Sequence, residues 1–191
     1  HVKPGNYVEQ IVLNGGIAGT GAGSWIDIMA DTTMTGSVNF AFSGDACAIA
    51  GNAEYVRLKN INIRSLSSNF SAVYIYNVNH HITFDGCVLQ GSTNPPSTTS
   101  NAYATVYKSS GVKNEYFEFL NCDIKDGSYG MYLNGGSTSD LEAGLKIINN
   151  NIRFKKERKS IKSSKYMNSN TKKRKADSLS SSSRISSNTI D

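Results

Sequence analysis

Residues 82–91 read ITFDGCVLQG, and residues 117–127 read FEFLNCDIKDG. Aligned on Ile82 and Phe117, both place apolar side chains at offsets 0, +2, +5 and +7: Ile82-Phe84-Cys87-Leu89 and Phe117-Phe119-Cys122-Ile124. Two weaker copies, VRLKNINI and LKIINNNI, put Val56-Leu58-Ile61-Ile63 and Leu145-Ile147-Asn150-Ile152 at the same offsets, with Asn150 the only polar entrant. Successive copies begin 26, 35 and 28 residues apart.

An alternation of two, a slip of one and a second alternation is not a helical period. It describes two short strands that face one interior across a tight bend. The second position of the bend holds Asn60, Gly86, Asn121 and Asn149, residue types that enter the left-handed region at least cost. A further short strand precedes three of the copies: AVYIYN (72–77), ATVYKS (104–109) and GMYLNG (130–135). No single turn of such strands can bury its inward face. Stacked turns about 4.8 Å apart can, which predicts an all-β solenoid with Cys87 lying over Cys122.

These repeats resemble the single-stranded right-handed parallel β-helix of the pectin-lyase-like superfamily. The stretch PGNYVEQIVLNGGIAGTGAGSWIDIMAD (4–31) is similar to an opening rung common there, in which a PGxY-type turn leads a strand, a Gly-rich loop and a second strand. The resemblance covers residues 1–152 and leans toward secreted repeat proteins of bacteria. It implies a solenoid of about four to five rungs and an extracellular or cell-surface location. For activity it is a poor guide, since the superfamily includes lyases, hydrolases, esterases, adhesins and phage tailspikes.

Composition agrees with a globular body: 38% hydrophobic and 18% charged residues, with 17 glycines against three prolines marking many turns. No apolar run approaches the ~20 residues that a membrane-spanning helix needs. The opening HVKPGNYVE carries neither an initiator Met nor a leader pattern and reads as a processed form or a fragment.

The net charge of +5 averages two unlike segments. Through Ile152 there are eight Lys/Arg against twelve Asp/Glu, a net of −4; from Arg153 onward there are twelve against three, a net of +9. The latter segment, 153–191, is rich in Lys and Ser and nearly free of large apolar residues, so it is expected to be a disordered basic tail. A reading-frame change is favoured as its origin. A solvated linker comes next, and specific binding of nucleic acid or use of KKRK (172–175) as a localisation cluster comes last.

Function is expected on the outer face. Alternation in the preceding strands puts Val73/Ile75, Ala104/Val106 and Met131/Leu133 inside. Tyr74/Tyr76, Thr105/Tyr107 and Tyr132/Asn134 then face outward, bordered by Lys108. Tyrosine rings in line, one rung apart, suit the apolar faces of sugars, while hydroxyls and amides suit their polar groups. The competing account is that tyrosine is simply a good strand residue. The expected ligand-binding set is thus Tyr74, Tyr76, Tyr107, Tyr132 and Asn134, with a polysaccharide or cell-surface glycan as partner and no specific nucleic acid.

Two functions compete. One is a non-catalytic module of a secreted or surface protein that binds or displays carbohydrate. The other is a fragment of a polysaccharide lyase acting on uronic-acid polymers, in which Lys108 would be the base and Ca²⁺ would stabilise the developing charge. The paired-Asp and Gly-His-Gly signatures of polygalacturonase-like hydrolases are absent, and Asp85, Asp123 and Asp126 fall at different offsets of the repeat. No cofactor is expected under the first reading. Cys87 and Cys122 read as small hydrophobes of the core, with a disulfide less favoured and a metal least, since no His or carboxylate shares their offset. His80-His81 reads as a corner between strands. The Pro-Pro insertion GSTNPPSTTSNA (91–102) reads as a protruding loop.

Overall fold

The computed structural model describes residues 1–108, 114–135 and 143–153. The first rung holds β1 (Gly5–Tyr7), β2 (Ile11–Leu13) and β3 (Ile26–Met29). The second holds β4 (Val38–Phe42), β5 (Cys47–Ala50) and β6 (Glu54–Lys59), and the third β7 (Asn62–Ser65), β8 (Val73–Tyr76) and β9 (His80–Asp85). The fourth holds β10 (Val88–Gln90), β11 (Val106–Lys108) and β12 (Glu115–Leu120). In the fifth come β13 (Asp123–Lys125), β14 (Met131–Leu133) and β15 (Lys146–Ile148), and β16 (Asn151–Arg153) begins another turn.

Every third strand pairs, always in parallel. Sheet 1 runs β1-β4-β7-β10-β13-β16, sheet 2 runs β2-β5-β8-β11-β14 and sheet 3 runs β3-β6-β9-β12-β15. The chain therefore coils as a right-handed parallel β-helix of five rungs and the start of a sixth. The repeat phrase sets the register. Val56 pairs with Ile82 and Ile82 with Phe117, Leu58 with Phe84 and Phe84 with Phe119, Ile63 with Leu89 and Leu89 with Ile124. These inward positions, with Ile61, Cys87 and Cys122 between them, are all buried. At the last rung Ile147 and Ile152 continue the same columns but are exposed.

The bend between sheets 3 and 1 is a column of left-handed residues: Asn60 (φ 54°), Gly86 (62°), Asn121 (53°) and Asn149 (56°). Each of the first three passes its N–H to the next rung, to the carbonyls of Asp85, Leu120 and Ile148. At Gly86 a Cβ would sit 2.3 Å from Asn60 Oδ1, so the absence of a side chain there has a packing reason as well as a conformational one.

The three cysteines are buried free thiols. Cys87 donates to the Leu58 carbonyl (3.3 Å) and Cys122 to the Phe84 carbonyl (3.5 Å), each reaching the preceding rung. The Cys87 thiol is pushed up by its hydrogen bond with Cys122 and by burial, and burial alone raises Cys47 to about 12. Cys47 and Cys87 therefore stay protonated, whereas the bond from Cys87 draws the Cys122 thiol down; all three, buried, serve as packing groups.

Two boundaries differ from expectation. Arg153 belongs to β16, where its guanidinium holds both Asp123 oxygens at 2.8 and 2.7 Å, so the solenoid extends one residue past Ile152. The rest of the basic tail lies outside the described residues. The Pro-Pro segment contains no strand but returns to the body: Tyr129 Oη donates to the Thr99 carbonyl and Ser128 Oγ to the Ser100 carbonyl.

Candidate functional site

Strand pairing sets Tyr74 beside Tyr107 and Tyr107 beside Tyr132, on the outer face of sheet 2. Their ring centroids lie 5.1 Å apart at 38° and 5.8 Å apart at 13°. Earlier rungs carry the smaller Val12 and Ala48 in this column, so the ladder begins at the third rung. Tyr76 leans onto Tyr74, centroid to centroid 3.9 Å at 50°. The geometry corrects one expectation. Side chains one rung apart are close enough to cover one another, so Tyr107 and Tyr132 stack and Tyr74 tilts against Tyr107, leaving ring edges more than open faces to the outside.

Tyr76 is also tied down. Its hydroxyl donates to Asp45 Oδ2 (3.2 Å), while Asp45 Oδ1 accepts the Ser71 N–H (2.9 Å). Burial pushes the Asp45 carboxyl above its ordinary range, and the bonds from Ser71 and Tyr76 draw it partly back. Burial and the nearby Asp45 carboxylate raise the Tyr76 phenol to about 12.

A carboxyl whose folded pKa exceeds its unfolded one holds its proton more tightly in the native state. Its contribution is present below the unfolded pKa and is lost as pH rises through the folded pKa. Asp45→Asn, neutral at every pH, is therefore expected to gain stability relative to wild type as pH rises from about 4 to 7. Urea midpoints for both proteins at the two pH values check this. A gap that stays constant contradicts it.

Lys108 does not border the tyrosine face. It pairs with Ile75 and Leu133, is 1% exposed, and its Nζ donates to the Asn134 carbonyl at 2.8 Å. The alternation that sends Tyr107 outward sends Lys108 inward with Val106. Asn134 follows β14, and its backbone oxygen receives that ammonium. Thr105 is buried too, its hydroxyl within 2.9 Å of the Asp126 carbonyl and 3.1 Å of that of Lys125. Of the expected outward set, Tyr74, Tyr76, Tyr107 and Tyr132 are brought together, whereas Thr105 and Lys108 are drawn inside.

A second aromatic column rises on sheet 3. His80 and His81 open β9 rather than forming a corner, and His81 is stacked between Tyr55 and Tyr116 at 4.5 Å on each side. Tyr55, His81 and Tyr116 all have positive φ (56°, 54° and 57°), a repeated left-handed kink just inside each strand. Trp25 closes the column edge-on to Tyr55 at 5.4 Å, under the Arg57 guanidinium at 5.0 Å. Beside it Arg57 grips Asp27 through two bonds of 2.6 and 3.1 Å, and this pairing holds the Asp27 carboxyl below its usual range. His80 Nδ1 stands 3.6 Å from Glu115 Oε2.

The bend from sheet 2 to sheet 3 turns on Asn79, which sequence reasoning missed. Its Oδ1 accepts the N–H groups of Gly51 (3.2 Å) and Ala53 (3.1 Å), and its Nδ2 donates to the Tyr76 and Asn77 carbonyls. Asn114 Oδ1 in turn accepts the Asn79 N–H at 2.9 Å. Both stand three residues before the first apolar position of their copy, a signal present in VNHHI and KNEYF.

Sheet 1 carries a groove of about 300 Å³. Asn6, Asn39 and Asn62 border it as a hydrogen-bonded amide ladder, with Asn39 Nδ2 donating to Asn6 (2.9 Å) and Asn62 Nδ2 to Asn39 (2.6 Å). Ala41, Arg64, Gln90 and Lys125 form the next outward column.

No family model, curated protein or solved structure matches the chain. The fold thus rests on register and burial, and any site has to be argued from its own chemistry. Among the described residues no three His, Cys, Asp or Glu side chains gather as a metal site would require. No helix there is long and apolar enough to cross a membrane.

Proposed function

We propose that the solenoid is a non-catalytic β-helix module of the pectin-lyase-like kind, from a secreted or surface protein, that binds polysaccharide along sheet 2. The observation that carries the reading is the ladder Tyr74-Tyr107-Tyr132 on three successive rungs, with Tyr76 anchored beside it by Asp45. A row of phenol edges with one rung's spacing, about 4.8 Å, offers an extended sugar chain repeated apolar and hydroxyl contacts. Mutual stacking fixes the rings beforehand, so little side-chain freedom is lost on binding. The lyase alternative draws less support. Its candidate base, Lys108, directs its ammonium to the Asn134 carbonyl on the inner side of sheet 2.

The test is the double substitution Tyr76→Ala and Tyr107→Ala, assayed by retention in gels cast with neutral and acidic polysaccharides. Both rings are half-buried on the outer face, so circular dichroism should remain that of the parent. Wild type is expected to be retarded by at least one polysaccharide, with affinity falling about tenfold or more in the variant, as for loss of two aromatic contacts. Equal retardation of both proteins, or none of either, contradicts the proposal.

A further inference from the structure

The groove on sheet 1 lies on a different face from the tyrosines. We propose that it binds a small hydroxylated monocarboxylate, with Arg64 as the carboxylate anchor and the surrounding amides holding the hydroxyl-bearing body.

Three observations lead there. First, Arg64 is exposed, lines the groove, and among the described residues its side chain has no hydrogen-bond or ion-pair partner. The other outward cations on the described strands are engaged: Arg57 and Lys59 with Asp27, Lys146 with Glu118, and Lys125 and Arg153 with Asp123. A guanidinium left open beside a concavity presents two parallel N–H groups in the geometry of a carboxylate.

Second, the local charge selects a single negative charge. Arg64, Lys125 and Arg153 share one column, in which Asp123 is taken up by Lys125 and Arg153 and Asp126 by Gln90, leaving a net of one positive charge. That balance complements a monoanion better than a phosphate dianion.

Third, the rest of the lining is neutral and divided. Ala41 is the small member of its outward column and leaves a depression where Arg64 and Gln90 stand on the next rungs. Val8 and Val88 supply an apolar boundary, while Tyr7 and Phe40 turn inward in the column of Ile63 and close the floor through their backbone. The amide ladder is satisfied internally but leaves Asn6 Nδ2 and Asn62 Oδ1 open at its two ends, one donor and one acceptor for hydroxyls. A volume near 300 Å³ lies at the small end of ligand pockets, suited to a single acid rather than a chain.

Gluconate is the probe, with glucose and inorganic phosphate as comparisons, titrated calorimetrically into the full chain. Two variants separate the roles: Arg64→Gln removes the anchor, and Ala41→Leu fills the depression while leaving Arg64 in place. Both change outward positions, and circular dichroism confirms that each retains the fold. Gluconate is expected to bind wild type, to bind each variant at least tenfold more weakly, and to exceed both glucose and phosphate in affinity. No gluconate binding, phosphate binding as tight as gluconate, or undiminished binding in Arg64→Gln would each overturn the assignment. Because Tyr76 and Tyr107 lie on sheet 2, their double variant should bind gluconate normally, so this result and that for polysaccharide stand apart.

Discussion

Truncation of Phe84 to alanine is expected to remove about 3–5 kcal/mol of stability, the range for deleting a fully buried ring. Phe84 is buried in the centre of the solenoid, between Leu58 of the preceding rung and Phe119 of the next. Its ring lies parallel to that of Phe119, 1° between planes and 5.2 Å between centroids. The backbone on either side is held by ladder hydrogen bonds to both neighbours, so the rungs cannot close over the gap. Most of the cavity therefore persists, which places the loss toward the upper part of the range. Phe84→Leu, which keeps most of the volume, should cost about 1.5 kcal/mol or less. Denaturant unfolding of the three proteins measures this. A loss below about 1 kcal/mol for the alanine variant would mean that the ring does not sit in a packed column.

Asn79→Ala should be nearly as damaging, for a different reason. The side chain is buried and joins four backbone groups at one bend: the N–H of Gly51 and Ala53 and the carbonyls of Tyr76 and Asn77. Each buried group left without a partner costs about 1–3 kcal/mol, so a total of about 3 kcal/mol or more is expected even after local relaxation. Asn79→Asp does not rescue it, since a carboxylate keeps the acceptor but loses both donors and adds a buried charge. Amide exchange locates the effect: protection of Gly51 and Ala53 should fall further than that of residues in sheet 1. Unchanged protection at these two amides, with a loss under about 1 kcal/mol, contradicts the role assigned to Asn79. The bend follows Tyr76 directly, so its loosening should also weaken the ordering of the tyrosine ladder.

The fold was legible because its core is written in apolar residues at fixed offsets. Ile82, Phe84, Cys87 and Leu89 repeat as Phe117, Phe119, Cys122 and Ile124, and a one-residue slip can only be a corner when Asn or Gly recurs there. The opening rung was legible through its turn and Gly-rich loop, whereas β4 and β5 in the second rung carry VNFAF and CAIA, which lack the repeated phrase.

The outer face was legible in part. Tyr74, Tyr107 and Tyr132 share a column because alternation dictates it, but alternation is silent on ring orientation, which depends on the neighbour one rung away. Lys108 was misplaced because its charge suggested the surface, although it stands two residues after the inward Val106. The oxygen that accepts its ammonium, the Asn134 carbonyl, lies 26 positions along the chain. The groove could not be read at all. It requires Ala41, Arg64, Gln90 and Lys125, from four different rungs, to fall side by side.

Cross-strand nuclear Overhauser contacts between β10 and β13 test the central claim most directly. Parallel, in-register stacking predicts contacts linking Val88 with Asp123, Leu89 with Ile124 and Gln90 with Lys125, each running in the same chain direction. Close pairing of these segments in the opposite direction, a shift of register by one residue, or the absence of any contact between them would contradict the stacked-rung account.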